Sequence, residues 1–139
     1  ITANDLLVFA LHSIPHTDLI LQTFVTSPLI TTETIDQAIV KFLSSNSHDA
    51  FLTVQEIQEY FWDAQSQPMN FDINILPNSS DLNKIYMETH GLYGIYTDSL
   101  LENKNRFGEK TMMIPISKLE SLDINDYEDF QILTKLLEI

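Results

Sequence analysis

Asp123 and Asn125 stand two residues apart, between an apolar run, Met112-Met113-Ile114-Pro115-Ile116, and a helical pattern that reaches Ile139. In an extended segment residues i and i+2 point to the same side, so a carboxylate and an amide oxygen converge there. Hard oxygen donors at a strand end suit a magnesium ion, which usually keeps several of its waters. The same residues also read as a helix start, with Asn125 as N-cap and Asp126, Glu128 and Asp129 facing the helix dipole. Other residues can bind rather than react. The hydroxyls of Thr26 and Ser27, in the turn Thr26-Ser27-Pro28-Leu29, can hydrogen-bond a base or sugar, and His90 beside Gly91 can read a polar substrate. Lys104 and Arg106 make a local basic cluster that reads first as a plain exposed turn, with a contact to phosphate or carboxylate as the alternative. His12, His16 and His48 fall at helix ends and turns and take no role. No G-x-x-x-x-G-K-S/T, G-x-G-x-x-G or nucleophile-elbow pattern occurs.

These residues need a scaffold, and the apolar pattern supplies one. Residues 3 to 13 read as a helix, with Asn4 or Asp5 near its start and Ile14-Pro15-His16-Thr17 breaking it. Asp18 to Val25 is an almost unbroken apolar strand, as expected where both faces are covered. A second helix runs from about Thr32 to Phe42 or Leu43, capped by Thr31 or Thr32, and Asp49 to Val54 forms the next strand. Strand, helix and strand at this spacing predict a parallel α/β sheet. From Gln55 to Asn83 aromatic and turn residues alternate irregularly, which points to a functional or interface insertion at about 55–85. Gly91 to Tyr96 reads as a strand whose two glycines admit a ligand or another backbone. A short helix from about Asp98 to Asn103, a strand over 111–116 and a closing helix over 126–138 follow, making one domain or part of one. In such sheets ligands sit beyond the carboxyl ends of the strands, where Thr26, the stretch after Val54 and Asp123 all fall.

Composition narrows the partners. Seven Lys plus Arg against 20 Asp plus Glu give a net charge of −13, which argues against nucleic acid or an anionic membrane. The 44% hydrophobic content in 139 residues is enough for a packed core. With no cysteine, thiolate catalysis and disulfides are excluded, and a reducing cytoplasm fits. No apolar run approaches the ~20 residues of a membrane span.

Six segments, taken in order, resemble the acylneuraminate cytidylyltransferases, the CMP-sialic acid synthetase family. Thr26-Ser27-Pro28-Leu29 resembles that family's T-S-P-L loop, and Ile35 to Ile39 its following helix. Asp49 to Val54 is similar to D-S-V-x-S-V, and Leu76 to Leu82 resembles L-P-R-x-Q-D-L. Glu88-Thr89-His90-Gly91-Leu92-Tyr93 resembles E-T-x-G-L-Y, and Ser121 to Phe130 resembles S-I-D-I-D-x-x-x-D-F. The pattern departs at Asn78, Ser80 and Asn125, which stand for an arginine, a glutamine and an aspartate. Phe24 stands for a glutamine that Gln22 can replace one strand period earlier, and His90 stands for an asparagine.

The resemblance implies a Rossmann-like nucleotide-diphospho-sugar transferase fold, three-layer α/β/α with a mostly parallel mixed sheet. It implies transfer of CMP from CTP to a sialic-acid-like sugar acid, with release of pyrophosphate and with Mg2+ as cofactor. Asp123 would be the catalytic metal ligand and Asn125 the second ligand. Gln22, Thr26 and Ser27 would lie by the nucleotide, and Asp81, His90 and Tyr93 by the sugar. A homodimer formed through the insertion is expected. So is an N-terminal part of the fold upstream of Ile1, since no segment here resembles the family's P-A-R-x-G-S-K phosphate loop. The alternative is a truncated or degenerate homologue that serves as a non-catalytic binding or assembly module.

Overall fold

The computed structural model describes residues 1–14 and 17–138, so part of the expected break at 14–17 lies outside the described residues. Helix α1 spans Ala3–Leu11, beginning where expected and ending two residues before 13, with Thr2 as its N-cap. The Thr2 hydroxyl accepts from the Asp5 amide, while the Asp5 carboxylate accepts from the Thr2 amide. Strand β1 is Leu19–Thr23, helix α2 Thr32–Leu43 and strand β2 Ala50–Ile57. Strand β3 is Ile85–Tyr96, helix α3 Thr97–Asn103, strand β4 Thr111–Pro115 and helix α4 Tyr127–Leu136.

The sheet order is β1-β3-β2-β4. Strands β1, β2 and β4 run in one direction and β3 runs against them, so the sheet is mixed with three of its four strands parallel in sense. Yet β1 and β2 do not touch. β3 lies between them, pairing Ile95 with Ile20 of β1 and with Ala50 of β2. The α2 connection therefore skips one sheet position, which the strand-helix-strand pattern alone did not reveal. Among the described residues β1 is an edge strand, and Leu21 is exposed where covering on both faces was expected.

Side chains alternate across the sheet and build two cores. Phe51, Leu92, Met112 and Ile114 face Ala38 and Phe42 of α2. On the other side Ala50, Ile95 and Ile20 meet Leu7, Val8 and Leu11 of α1 and Leu100 of α3. This is the three-layer arrangement. Gly94 was expected to admit a ligand, but a neighbouring side chain claims its space. A Cβ there would lie 2.0 Å from the Phe51 ring, which sits directly across the β2–β3 ladder. Further along the second face, beyond α1 and α3, Leu52, Val54 and Tyr93 pack with Phe24 and Phe107.

The irregular stretch is shorter than expected because β2 continues to Ile57 and β3 begins at Ile85. The two form a ribbon, closed by an ion pair of 2.6 Å between Lys84 and Glu56. The excursion over 58–84 is tied down at its base, where the Gln58 amide donates to the carbonyls of Ser80 and Leu82. Its Trp62, Met69, Ile73, Ile75 and Leu76 side chains are exposed.

Two carboxylates lock segments distant in sequence. Asp49 accepts from the amides of Glu109 and Lys110 and from the Ser99 hydroxyl, and Gly108, at φ +61°, leaves room for it. Glu120 accepts from the amide and hydroxyl of Thr31 and from the hydroxyl of Thr34, closing the first turn of α2 from 86 to 89 residues away. Burial alone would raise both pKa values, but these donors outweigh it and hold both below the ordinary carboxylate range. A folded-state pKa below the unfolded one gives stability that is present above the unfolded value and lost as pH falls through the folded value. The melting temperature is therefore expected to drop as pH is lowered from about 5 toward 3. Asp49→Asn combined with Glu120→Gln should flatten that acid limb in thermal melts, and an unchanged slope would show that other groups set it.

Candidate functional site

The site is built around an irregularity in β3. Leu52 pairs with Tyr93, but the next paired residue, Val54, faces Glu88. Thr53 alone therefore spans residues 89–92. Two buried threonines hold the bulge together: the Thr89 hydroxyl donates to Thr53, and the Leu92 amide donates to the Thr53 hydroxyl at 3.0 Å. His90 takes the left-handed conformation, φ +56°, and its ring is thrown outward between two carboxylates. Its Nδ1 lies 3.6 Å from Asp123 Oδ2 and its Nε2 lies 3.9 Å from Glu88 Oε1.

Asp123 reaches His90 because the chain after β4 lies against the turn after β1. The Ile124 amide donates to the Thr26 carbonyl at 2.8 Å. One Asp123 oxygen faces His90, while the other, Oδ1, is buried with no partner. Ser27, in the same turn, is buried, and its hydroxyl likewise has no partner. Buried polar atoms are almost always bonded, so two orphans on neighbouring segments mark a place shaped for something else.

On the far side of His90 lies a charged cluster. The Arg106 guanidinium lies over the Tyr93 ring with its Cζ 4.0 Å from the centroid, and 5.3 and 5.7 Å from those of Phe107 and Phe24. It donates to Gln22 Oε1 at 3.4 Å, and to Glu88 Oε1 and the Tyr93 hydroxyl at 3.3 Å. The Tyr93 hydroxyl donates in turn to Glu88. Burial raises the Tyr93 pKa strongly, the bond to Glu88 adds to this, and Arg106 only partly opposes it, so the phenol stays a proton donor.

Of the residues expected here, Gln22, His90, Tyr93 and Asp123 fall into one chain of contacts, with Thr26 and Ser27 beside Asp123. Asp81 is exposed and bonds Asn78, with no contact to this cluster among the described residues. Asn125 is exposed and its amide N–H donates to Asp129. The helix cap is Asp126, in a reciprocal capping box with Asp129, one residue beyond the Asn125 expected. Glu88 is the residue that the pattern of residue types missed, and Arg106, read there as a basic residue of an exposed turn, is the one it underrated. Arg106 is no exposed turn: its side chain is 13% exposed. No group of three or more His, Asp or Glu among the described residues is arranged to hold a metal ion. Asp123 would therefore offer a cation one protein carboxylate, leaving other positions to water or substrate oxygens, a mode magnesium tolerates. No described helix is long and apolar enough to cross a membrane.

No family model matches the sequence, and no curated protein matches it. Solved structures do. A 4-diphosphocytidyl-2C-methyl-D-erythritol synthase from Anaerococcus prevotii matches over 100% of this chain and 68% of its own, with a TM-score of 0.66 and 15% identity. A CMP:2-keto-3-deoxy-manno-octonic acid synthetase, solved with CTP, matches over 99% of this chain and 68% of its own, with a TM-score of 0.63 and 11% identity. Neither is a sialic-acid enzyme. At such identity the likeness speaks for architecture, and the chain carries the Rossmann-like nucleotidyltransferase fold of these two enzymes.

Proposed function

We propose that this chain is the core of a cytidylyltransferase that transfers CMP from CTP to a hydroxyl of a sugar acid and releases pyrophosphate. The observation that carries the reading is the pair of buried orphans, Asp123 Oδ1 and the Ser27 hydroxyl, where the two segments meet beside the sheet. It gains weight because a synthetase of the same fold was solved with CTP. In the reaction the acceptor hydroxyl gives its proton to solvent as its oxygen bonds to the α-phosphorus, the bond from that phosphorus to the bridging oxygen breaks, and pyrophosphate leaves with the electron pair. Asp123 would hold magnesium through Oδ1, with Asn125 able to add only an exposed amide oxygen. When bound, the ion would neutralise triphosphate charge and orient it for in-line displacement. Thr26 and Ser27 would fix the nucleotide. Gln22, His90 and Tyr93 would line the acceptor side.

A second reading has one observation behind it. Arg106, the cation of the cluster, is already engaged by Glu88, which leaves no open cradle for phosphate and suits a non-catalytic binding module. Thermal unfolding with CTP and Mg2+ separates the two. A ligand at 100 times its Kd stabilises by about 2.7 kcal/mol, a shift of several degrees for a domain of this size. A rise with CTP and Mg2+ that exceeds the rise with ATP and Mg2+ is the expected result. No shift with any nucleotide would leave the binding-module reading in possession.

A further inference from the structure

Arg106 is held flat and still without being saturated. Three aromatic rings surround its guanidinium, and its side chain is 13% exposed in a protein of net charge −13. Its bonds go to three different groups, at 3.3 to 3.4 Å, and none is a two-point contact. An arginine present only to make an ion pair would take a carboxylate through both N–H groups at about 2.7–2.9 Å. Glu88 instead offers one oxygen, and that oxygen also accepts from Tyr93. The Glu88 side chain is 34% exposed, so it can swing to water, whereas the stacked guanidinium cannot follow it.

We propose that Arg106 is the anion-recognising residue of the acceptor subsite and that Glu88 is its placeholder. An acceptor carboxylate takes the guanidinium fork in two-point fashion, and Glu88 turns outward. The rings fix the plane of the fork in advance, so little ordering remains to be done on binding. Glu88 supplies counter-charge while the subsite is empty, because a partly buried cation left alone is costly. It also sets specificity: a neutral acceptor has nothing with which to displace Glu88, so it meets a closed subsite. This rests on the transferase reading with its sugar-acid acceptor and adds to it which residue reads the acid, Arg106, and how Glu88 holds that residue ready.

The test is calorimetric titration of the full chain with N-acetylneuraminate and with its methyl ester, which differ by one negative charge, each in parallel with CTP and Mg2+. The acid is expected to bind about 10- to 100-fold more tightly than the ester. Arg106→Gln should erase that difference. Glu88→Gln should tighten acid binding by about 3- to 10-fold and let the ester bind at least as well as before, since the competitor loses its charge. A damaged fold would weaken both ligands instead. Equal binding of acid and ester, no binding of either, or weaker acid binding in Glu88→Gln would overturn the assignment. CTP bound under any of those outcomes leaves the transferase reading standing. Acid selectivity lost in Arg106→Gln, without CTP binding, would sink the transferase reading and keep Arg106.

Discussion

Asp123→Ala is expected to lower magnesium-dependent CMP transfer by about 10³-fold or more while leaving the protein as stable as before, or more so. A bound cation contributes several kcal/mol to stabilising developing charge, and each 1.36 kcal/mol is tenfold in rate. The stability half of the prediction follows from Oδ1. It is buried and unpartnered, so the folded chain already carries the cost of desolvating it, and alanine removes that cost. The contact with His90, at 3.6 Å, is too long to be a strong bond and its loss offsets little. Turnover measured against Mg2+ concentration, with melting curves on the same samples, reads both halves. Unimpaired turnover would remove Asp123 from the metal site.

Phe51→Ala is expected to destabilise the domain by about 3–5 kcal/mol, the range for deleting a buried aromatic ring. Phe51 is fully buried, 5.0 Å from Phe42 ring to ring, and covers Gly94. The void cannot close from the β3 side, since Gly94 has no side chain to move into it. A domain of this kind has only about 5–15 kcal/mol in total, so the loss would be plain in urea denaturation. A cost below about 1 kcal/mol would mean that α2 does not pack on this face as described.

The parts of the fold that were legible are those where burial imposes a period. α2 carries Ala38 and Phe42 at helical spacing, and Ala50 to Val54 is apolar but for Thr53 because both faces are covered, by α2 on one and by α1, α3, Phe24 and Phe107 on the other. The outer halves of β2 and β3 were not legible. Gln55, Glu56, Tyr86 and Met87 form a ribbon that projects beyond the helices, so solvent leaves no apolar pattern on them. Asn125 and Asp126 are both good caps, and only the Asp126–Asp129 exchange decides between them. In the site, Gln22, His90 and Tyr93 came from residue types set in a family-like order. Arg106 was legible as a basic residue but not as a stacked and largely buried one, because its packing comes from Tyr93 and Glu88, which lie 13 and 18 residues upstream. A signal did exist: a lone arginine flanked by an aromatic residue, in a chain this acidic, is unlike an ordinary solvated turn.

The interposed position of β3 also bears on how the protein is made. As the polypeptide leaves the ribosome, β1 and β2 emerge before β3, yet neither pairs with the other, since their shared neighbour is still to be synthesised. At about 5–20 residues per second, β1 waits several seconds or longer with its backbone donors and Leu19, Ile20 and Leu21 unclaimed. Through that interval the nascent chain exposes unpaired strand backbone and apolar side chains. Only when Tyr96 has cleared the exit tunnel can β3 slot between the two strands, and β4 is added to the free edge of β2 after that.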